Sequence, residues 1–213
     1  FVRTDEVWTQ QAKLTASDAE ACDQFGSSVA VSSDTALVGA IYDDHGGLTD
    51  AGSAYVFVRS ESAWLQQAKL TASDAATGDE FDVSVAVSGD SAVVGAWLGG
   101  DSGATDAGSA YVFVRADDDW TEQAELTGSN TAADDYFGNS VALSGNTAVI
   151  GAPCTDHAEN TDAGSAYVFD LNCQGVCCFS NGSCAKMIEA ECDGVWHFEW
   201  ADCAEAHCPP PTG

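Results

Sequence analysis

The chain has 213 residues, with 6 Lys+Arg against 34 Asp+Glu and a formal charge of -28. A field of that sign repels nucleic-acid phosphates and anionic lipid surfaces, so neither is an expected partner. Hydrophobic residues make up 45%, which excludes general disorder, and no run is long and apolar enough to enter a bilayer.

The acidic balance fits two readings, plain solvation or divalent-ion binding. The chain begins at Phe1 rather than Met, so export stays open.

Taken in order, the chain is dominated by one period. Phe-Val-Arg stands at Phe1, Phe57 and Phe113, and Phe169 opens a broken fourth copy, all at intervals of 56 residues. Trp8, Trp64 and Trp120 keep the same phase, as do Phe25, Phe81 and Phe137. Three stretches, Asp23–Ala40, Asp79–Ala96 and Asp135–Ala152, alternate small or apolar with polar residues about a central turn. Each reads as a β-hairpin, turning on Ser33-Asp34, Gly89-Asp90 or Gly145-Asn146.

In the middle repeat the pattern predicts four strands, at Trp64–Thr71, Val83–Ser88, Ala92–Ala96 and Ser109–Arg115. No window has helical periodicity with caps. Four short antiparallel strands per repeat predict an all-β chain of propeller blades over 1–172, in repeats of about 1–56, 57–112 and 113–168. The phased aromatics are expected in the packing within and between blades. Three blades are too few for a ring, since propellers use about 4–8. The array is therefore expected to be open, completed by further repeats or other chains, or closed as an odd barrel.

The motif D-x-F-G-x-S-V-A-[VL]-S-[SG]-[DN]-T-A-x-[VI]-G-A, followed by D-A-G-S-A-Y-V-F, resembles the bacterial FG-GAP repeat group. These are relatives of the integrin α-subunit β-propeller. The resemblance covers about residues 1–170 in three in-register copies. Phe25-Gly26 and Phe137-Gly138 match the Phe-Gly pair, whereas Phe81-Asp82 departs from it. The resemblance implies an extracellular propeller for adhesion or ligand binding, often with Ca²⁺. The family's calcium loop lies between the two hairpin strands. Here that loop is a two-residue turn, too tight to wrap six or more oxygens around an ion.

The remaining acids fall in two other loops. One precedes the hairpin, with Asp18 and Asp23, Asp74 and Asp79, and Asn130 and Asp135. The other follows it, with Asp43, Asp44 and Asp50, then Asp101 and Asp106, then Asp156, Glu159 and Asp162. Alternation puts both loops at one end of each blade, predicting an acidic rim. The post-hairpin acids are the candidate Ca²⁺ ligands, against the reading that Asx side chains cap turns. His45, Asp101 and His157 share one phase and hint weakly at a transition metal. No G-x-S-x-G elbow, P-loop or H-E-x-x-H is present, and the carboxylate pairs recur with the repeat. No catalytic residue, and no enzyme, is expected.

Nine Cys are present, most of them late. From Cys173 the strand pattern stops, and 173–213 is expected to be a separate Cys-rich module. Residues 175–209 resemble the small module at the ends of planctomycete-type secreted proteins. Cys177, Cys178, Cys184, Cys192, Cys203 and Cys208 allow three disulfides in 15 pairings, or zinc through Cys203, His207 and Cys208. Density of Cys and acidity favour disulfides and an oxidising compartment. Cys22 and Cys154 lie in loops of one face, where a bridge within or between chains is a further expectation.

The expected role is non-catalytic: a secreted or cell-surface module that binds a protein or glycan. The alternatives are a fibre or sheath subunit stacked from copies of itself, or a Ca²⁺-dependent carbohydrate-binding module. No cofactor other than Ca²⁺ is expected.

Overall fold

The computed structural model describes residues 2–99, 105–158 and 160–171, with the backbone alone at 2–4 and in three later strands. Among the described residues every regular element is a strand. Among them no helix is long and apolar enough to cross a membrane. The chain divides into Phe1–Phe169 and Asp170–Gly213.

In the first unit, β1 (Val2–Thr4) and β2 (Val7–Thr9) form a two-stranded ribbon. Sheet 1 follows, in the order β3 (Phe25–Ser32), β4 (Thr35–Ala40), β5 (Ser53–Ser60), β6 (Ala63–Leu70). Sheet 2 repeats it as β7 (Phe81–Ser88), β8 (Ser91–Ala96), β9 (Ser109–Ala116), β10 (Asp119–Leu126). Sheet 3 has three strands, β11 (Ser140–Ser144), β12 (Thr147–Ala152) and β13 (Ser165–Asp170). All pairings within sheets 1 and 2 are antiparallel. These are the blades that the alternation predicts, and among the described residues they do not close into a barrel.

The blade boundary differs from the one read in the sequence. The strand at Trp64 pairs with β5, giving Arg59↔Trp64 and Val58↔Leu65, and so closes sheet 1 rather than opening sheet 2. A two-residue turn at Glu61-Ser62, with Glu61 at φ 56°, folds β6 straight back on β5. Among the described residues sheet 3 has three strands, and the β1–β2 ribbon matches the last two strands of a blade.

Successive sheets approach most closely through their first strands, β3 beside β7 and β7 beside β11, and barely touch at β6 and β10. The core lies between sheets. Leu37, Ala54, Val56 and Leu70 of sheet 1 pack on Phe81, Val85, Val87, Tyr111 and Phe113 of sheet 2. Each blade carries one aromatic trio in T-shaped or tilted contact: Phe25 with Tyr55 and Phe57, Phe81 with Tyr111 and Phe113, Phe137 with Tyr167 and Phe169.

Loops between neighbouring sheets are zipped by main-chain bonds. Glu80 N donates to Asp50 O (3.3 Å) and Phe81 N to Ala51 O (3.0 Å). Tyr136 N to Asp106 O (3.3 Å) and Phe137 N to Ala107 O (2.8 Å) repeat this one blade on. The zipper requires glycine beside it. Gly108 has φ +82°, and a Cβ there would run into the Phe137 main chain. Gly108→Ala should cost more than about 2 kcal/mol, since backbone strain and a clash add. Gly145→Ala is the control: φ is +57° but the space is open. Urea unfolding should show the first loss to exceed the second clearly.

The second unit contains a three-stranded antiparallel sheet, β15 (Cys184–Met187), β14 (Gly175–Cys178), β16 (Val195–His197). Its register sets Cys178 opposite Cys184. The side chains of Cys177, Cys178 and Cys184, and the whole of Cys173, Cys192, Cys203 and Cys208, lie outside the described residues. So do the disulfide and zinc expectations that rest on them.

Candidate functional site

The pre-hairpin and post-hairpin loops of each repeat do meet at one end of the blade. Tyr42 N donates to Asp23 O in repeat 1, and Cys154 N to Asp135 O in repeat 3. The inter-sheet zipper joins these loops into a continuous, acid-rich rim. At repeat 3 the rim holds a groove of about 520 Å³, with Asp134, Asp135, Cys154, Asp156 and Asp162 in its lining.

Three of the pre-hairpin acids, Asp23, Asp79 and Asp135, close turns. Asp23 Oδ2 accepts from Glu20 N (2.6 Å), Asp79 Oδ2 from Ala76 N (2.6 Å) and Asp135 Oδ2 from Ala132 N (2.7 Å). Each carboxylate reaches back to the amide three residues earlier and closes the turn, and the recurrence of that bond explains the recurring Asp. Among the candidate calcium ligands, Asp44 Oδ1 accepts from Asp50 N (2.8 Å) and Asp156 Oδ1 from Asp162 N (2.9 Å). Asp50, Asp106 and Asp162 sit at φ 51°, 54° and 52°, a left-handed conformation that Asp tolerates better than most residues. Asp101 and Glu159 lie outside the described residues. Among the described residues no three His, Cys, Asp or Glu side chains gather as a metal site.

Asp43 is buried in a polar cluster that the sequence reading did not single out. Its carboxylate accepts from Ser53 Oγ (2.7 Å) and Tyr55 OH (2.8 Å) and pairs with Lys69 Nζ (2.8 Å). Lys69 also reaches Asp18 at 2.8 Å. Burial pulls the Lys69 ammonium down, but the two carboxylates outweigh it and leave its pKa raised. Burial, reinforced by Asp43, pushes the Tyr55 hydroxyl far up, so it stays a donor. With Ser53, Tyr55 and Lys69 around it, Asp43 is committed to the fold.

The repeat gives this cluster an internal comparison. At the phase of Asp43 stand Gly99 and Thr155; at the phase of Lys69, repeat 2 has Glu125. There Ser109 Oγ donates to Glu125 Oε1 at 2.5 Å. In repeat 3 Tyr167 OH donates to Asn130 Oδ1 (2.9 Å). The blade tyrosine keeps an acceptor or acid nearby while that group moves, as a hydroxyl in a packed blade needs a partner.

The hairpin turn, the place of the ion in the related family, is also occupied. Asp34 pairs with Arg59, and Asp90 Oδ1 accepts from Arg115 Nε (2.8 Å). Each guanidinium also covers a tryptophan, Arg59 over Trp64 at 5.7 Å and Arg115 over Trp120 at 5.4 Å. In repeat 3 both partners change together, to Asn146 and Leu171.

Cys22 is exposed, Cys154 partly so, and both carry free thiols; no bridge joins them in this chain. Burial and then Asp162, Asp135, Asp134 and Asp156 push the Cys154 thiol up. A thiol so placed is a weak nucleophile at neutral pH. His45 and His157 sit in matching loops, where His157 Nε2 contacts Gly164 O (3.0 Å) and Ser165 Oγ (2.9 Å).

Stacked antiparallel blades of three or four strands, joined by acidic loops, define an all-β repeat class of the propeller type. The FG-GAP repeat model matches residues 8–57, 64–113 and 120–169. The chain belongs to the FG-GAP repeat family. No curated protein matches it.

Proposed function

We propose that this chain is a non-catalytic binding module of the cell surface or extracellular space, which engages a protein or glycan through its acidic rim. The observation that carries the reading is the zipper. Main-chain bonds from Glu80 and Phe81 to repeat 1, and from Tyr136 and Phe137 to repeat 2, fix the loops as one repeated surface. Loops held on a rigid scaffold are where binding concentrates. The surplus of carboxylates favours ligands with cationic groups, or glycans bridged by a divalent ion.

The test is a screen of the immobilised chain against a glycan array and a panel of basic peptides, each with and without millimolar CaCl₂. Saturable binding that Asp134→Asn/Asp156→Asn weakens supports the reading. Binding to neither panel in either buffer overturns it.

A further inference from the structure

The two end faces of the blade stack are copies of faces that are buried inside it. On the front of sheet 1, Leu37 and Val56 are 1% and 0% exposed because sheet 2 covers them. Their counterparts on sheet 2, Val93 and Val112, are likewise buried. The counterparts on sheet 3 are Val149 and Val168, which are 38% and 70% exposed. The rear of the stack repeats the mismatch. Val85 and Val87 of β7 are buried against sheet 1, whereas Val29 and Val31 of β3 are 70% and 69% exposed.

We propose that a second copy of this chain docks the rear of its sheet 1 on the front of sheet 3, continuing the stack head to tail. The internal junctions specify the fit. Val29 and Val31 of the second copy take the places of Val85 and Val87. Its Gln24 and Phe25 face Asp162 and Ala163, as Glu80 and Phe81 face Asp50 and Ala51. Ser140 meets Gly26 of the second copy, as Ser28 donates to Asp82 O (2.8 Å) and Ser84 to Gly138 O (2.7 Å).

The incomplete blades fit the same scheme. β1 and β13 are the same strand of the repeat, so both cannot occupy one position in the joined stack. β13 keeps it, and β2 of the incoming copy becomes the fourth strand of sheet 3, in the place that β6 and β10 hold. The β1–β2 pairs are exchanged for β13–β2 pairs, and two apolar faces are covered. The contact is heterologous, so each added copy presents a fresh front and rear. The chain's net charge of -28 opposes association at long range, so assembly should strengthen as salt rises.

The experiment is sedimentation of the full 213-residue chain across micromolar concentrations at low and high salt. The expected result is a mass that climbs with concentration and with salt. Val31→Lys and Val168→Lys, both at exposed positions and checked for intact far-UV CD, should each remain monomeric. Mixing the two should yield a one-to-one dimer, since each retains the face that the other has lost. The proposal is overturned by a wild-type monomer at every concentration and salt. It is overturned equally by single variants that assemble like wild type, or by a mixture that stays monomeric.

Discussion

Asp43→Gly should lower the unfolding free energy by about 3 kcal/mol, the low end of the range for breaking a buried charge pair. The substitution strips the acceptor from Ser53 Oγ and Tyr55 OH and leaves Lys69 with Asp18 as its remaining carboxylate. Lys69 is only 24% exposed, so water replaces little of the lost interaction. Asp18 stays in place, which keeps the loss from the upper end of the range. The informative variant is the double one, Asp43→Gly/Lys69→Glu. It installs in blade 1 the pair found in blade 2, Gly99 and Glu125, where Ser109 Oγ already donates to the Glu125 carboxylate. The double variant should recover most of the stability, and the two substitutions should therefore couple strongly in a mutant cycle. Denaturant midpoints for the four proteins decide it. Additive losses would show that the cluster does not act as a unit.

The same comparison of copies marks what was readable in the chain beforehand. Strand number, hairpin turns and the buried aromatics follow from the 56-residue phase, because period-2 alternation and two-residue turns are local signals. The partner of the Trp64 strand was not legible that way. Alternation marks a strand but not its neighbour, and the turn at Glu61-Ser62 that joins β6 to β5, a positive-φ position filled by Glu, carries no glycine to announce it. The acids misled for a related reason. Asp43 and Asp44 are adjacent and of the same type, yet one is buried under Lys69 and the other caps Asp50 on the surface. The distinguishing signal lay between repeats. Recurring Asp23, Asp79 and Asp135 mark a turn that every blade needs, while Asp43 changes to Gly99 and Thr155 as Lys69 changes to Glu125. Positions that vary together across copies, such as Asp34 with Arg59 and Asn146 with Leu171, report contacts that a single repeat conceals.

Asp82 extends that logic to pH. It occupies the glycine position of the Phe-Gly pair, at φ 84° beside Gly26 at 97° and Gly138 at 87° in the other copies. The side chain is buried between sheets 1 and 2, where Oδ2 accepts from Ala40 N (2.6 Å) and Oδ1 from Ser27 Oγ (3.3 Å). Gly39 leaves room for it, since a Cβ there would strike the carboxylate. Burial pushes the carboxyl up to about 8, against the pull of the bonds from Ala40, Ser27 and Ser53. An acid whose pKa is higher folded than unfolded holds its proton in the native state while the unfolded chain releases it. Its contribution is therefore fully favourable below about pH 4, declines as pH rises, and is lost once pH passes about 8. Each pH unit in that window is worth at most about 1.36 kcal/mol, so the whole span amounts to several kcal/mol. Asp82→Asn keeps an oxygen for Ala40 N, tolerates positive φ and cannot ionise. Urea unfolding of both proteins between pH 4.5 and 9 should give curves that diverge as pH rises, with the variant the more stable on the alkaline side. The general repulsion among the chain's other carboxylates acts on both proteins and cancels in the difference. Parallel curves across that range would mean that Asp82 ionises in the native blade junction, and that its carboxylate is stabilised there as well as it is in water.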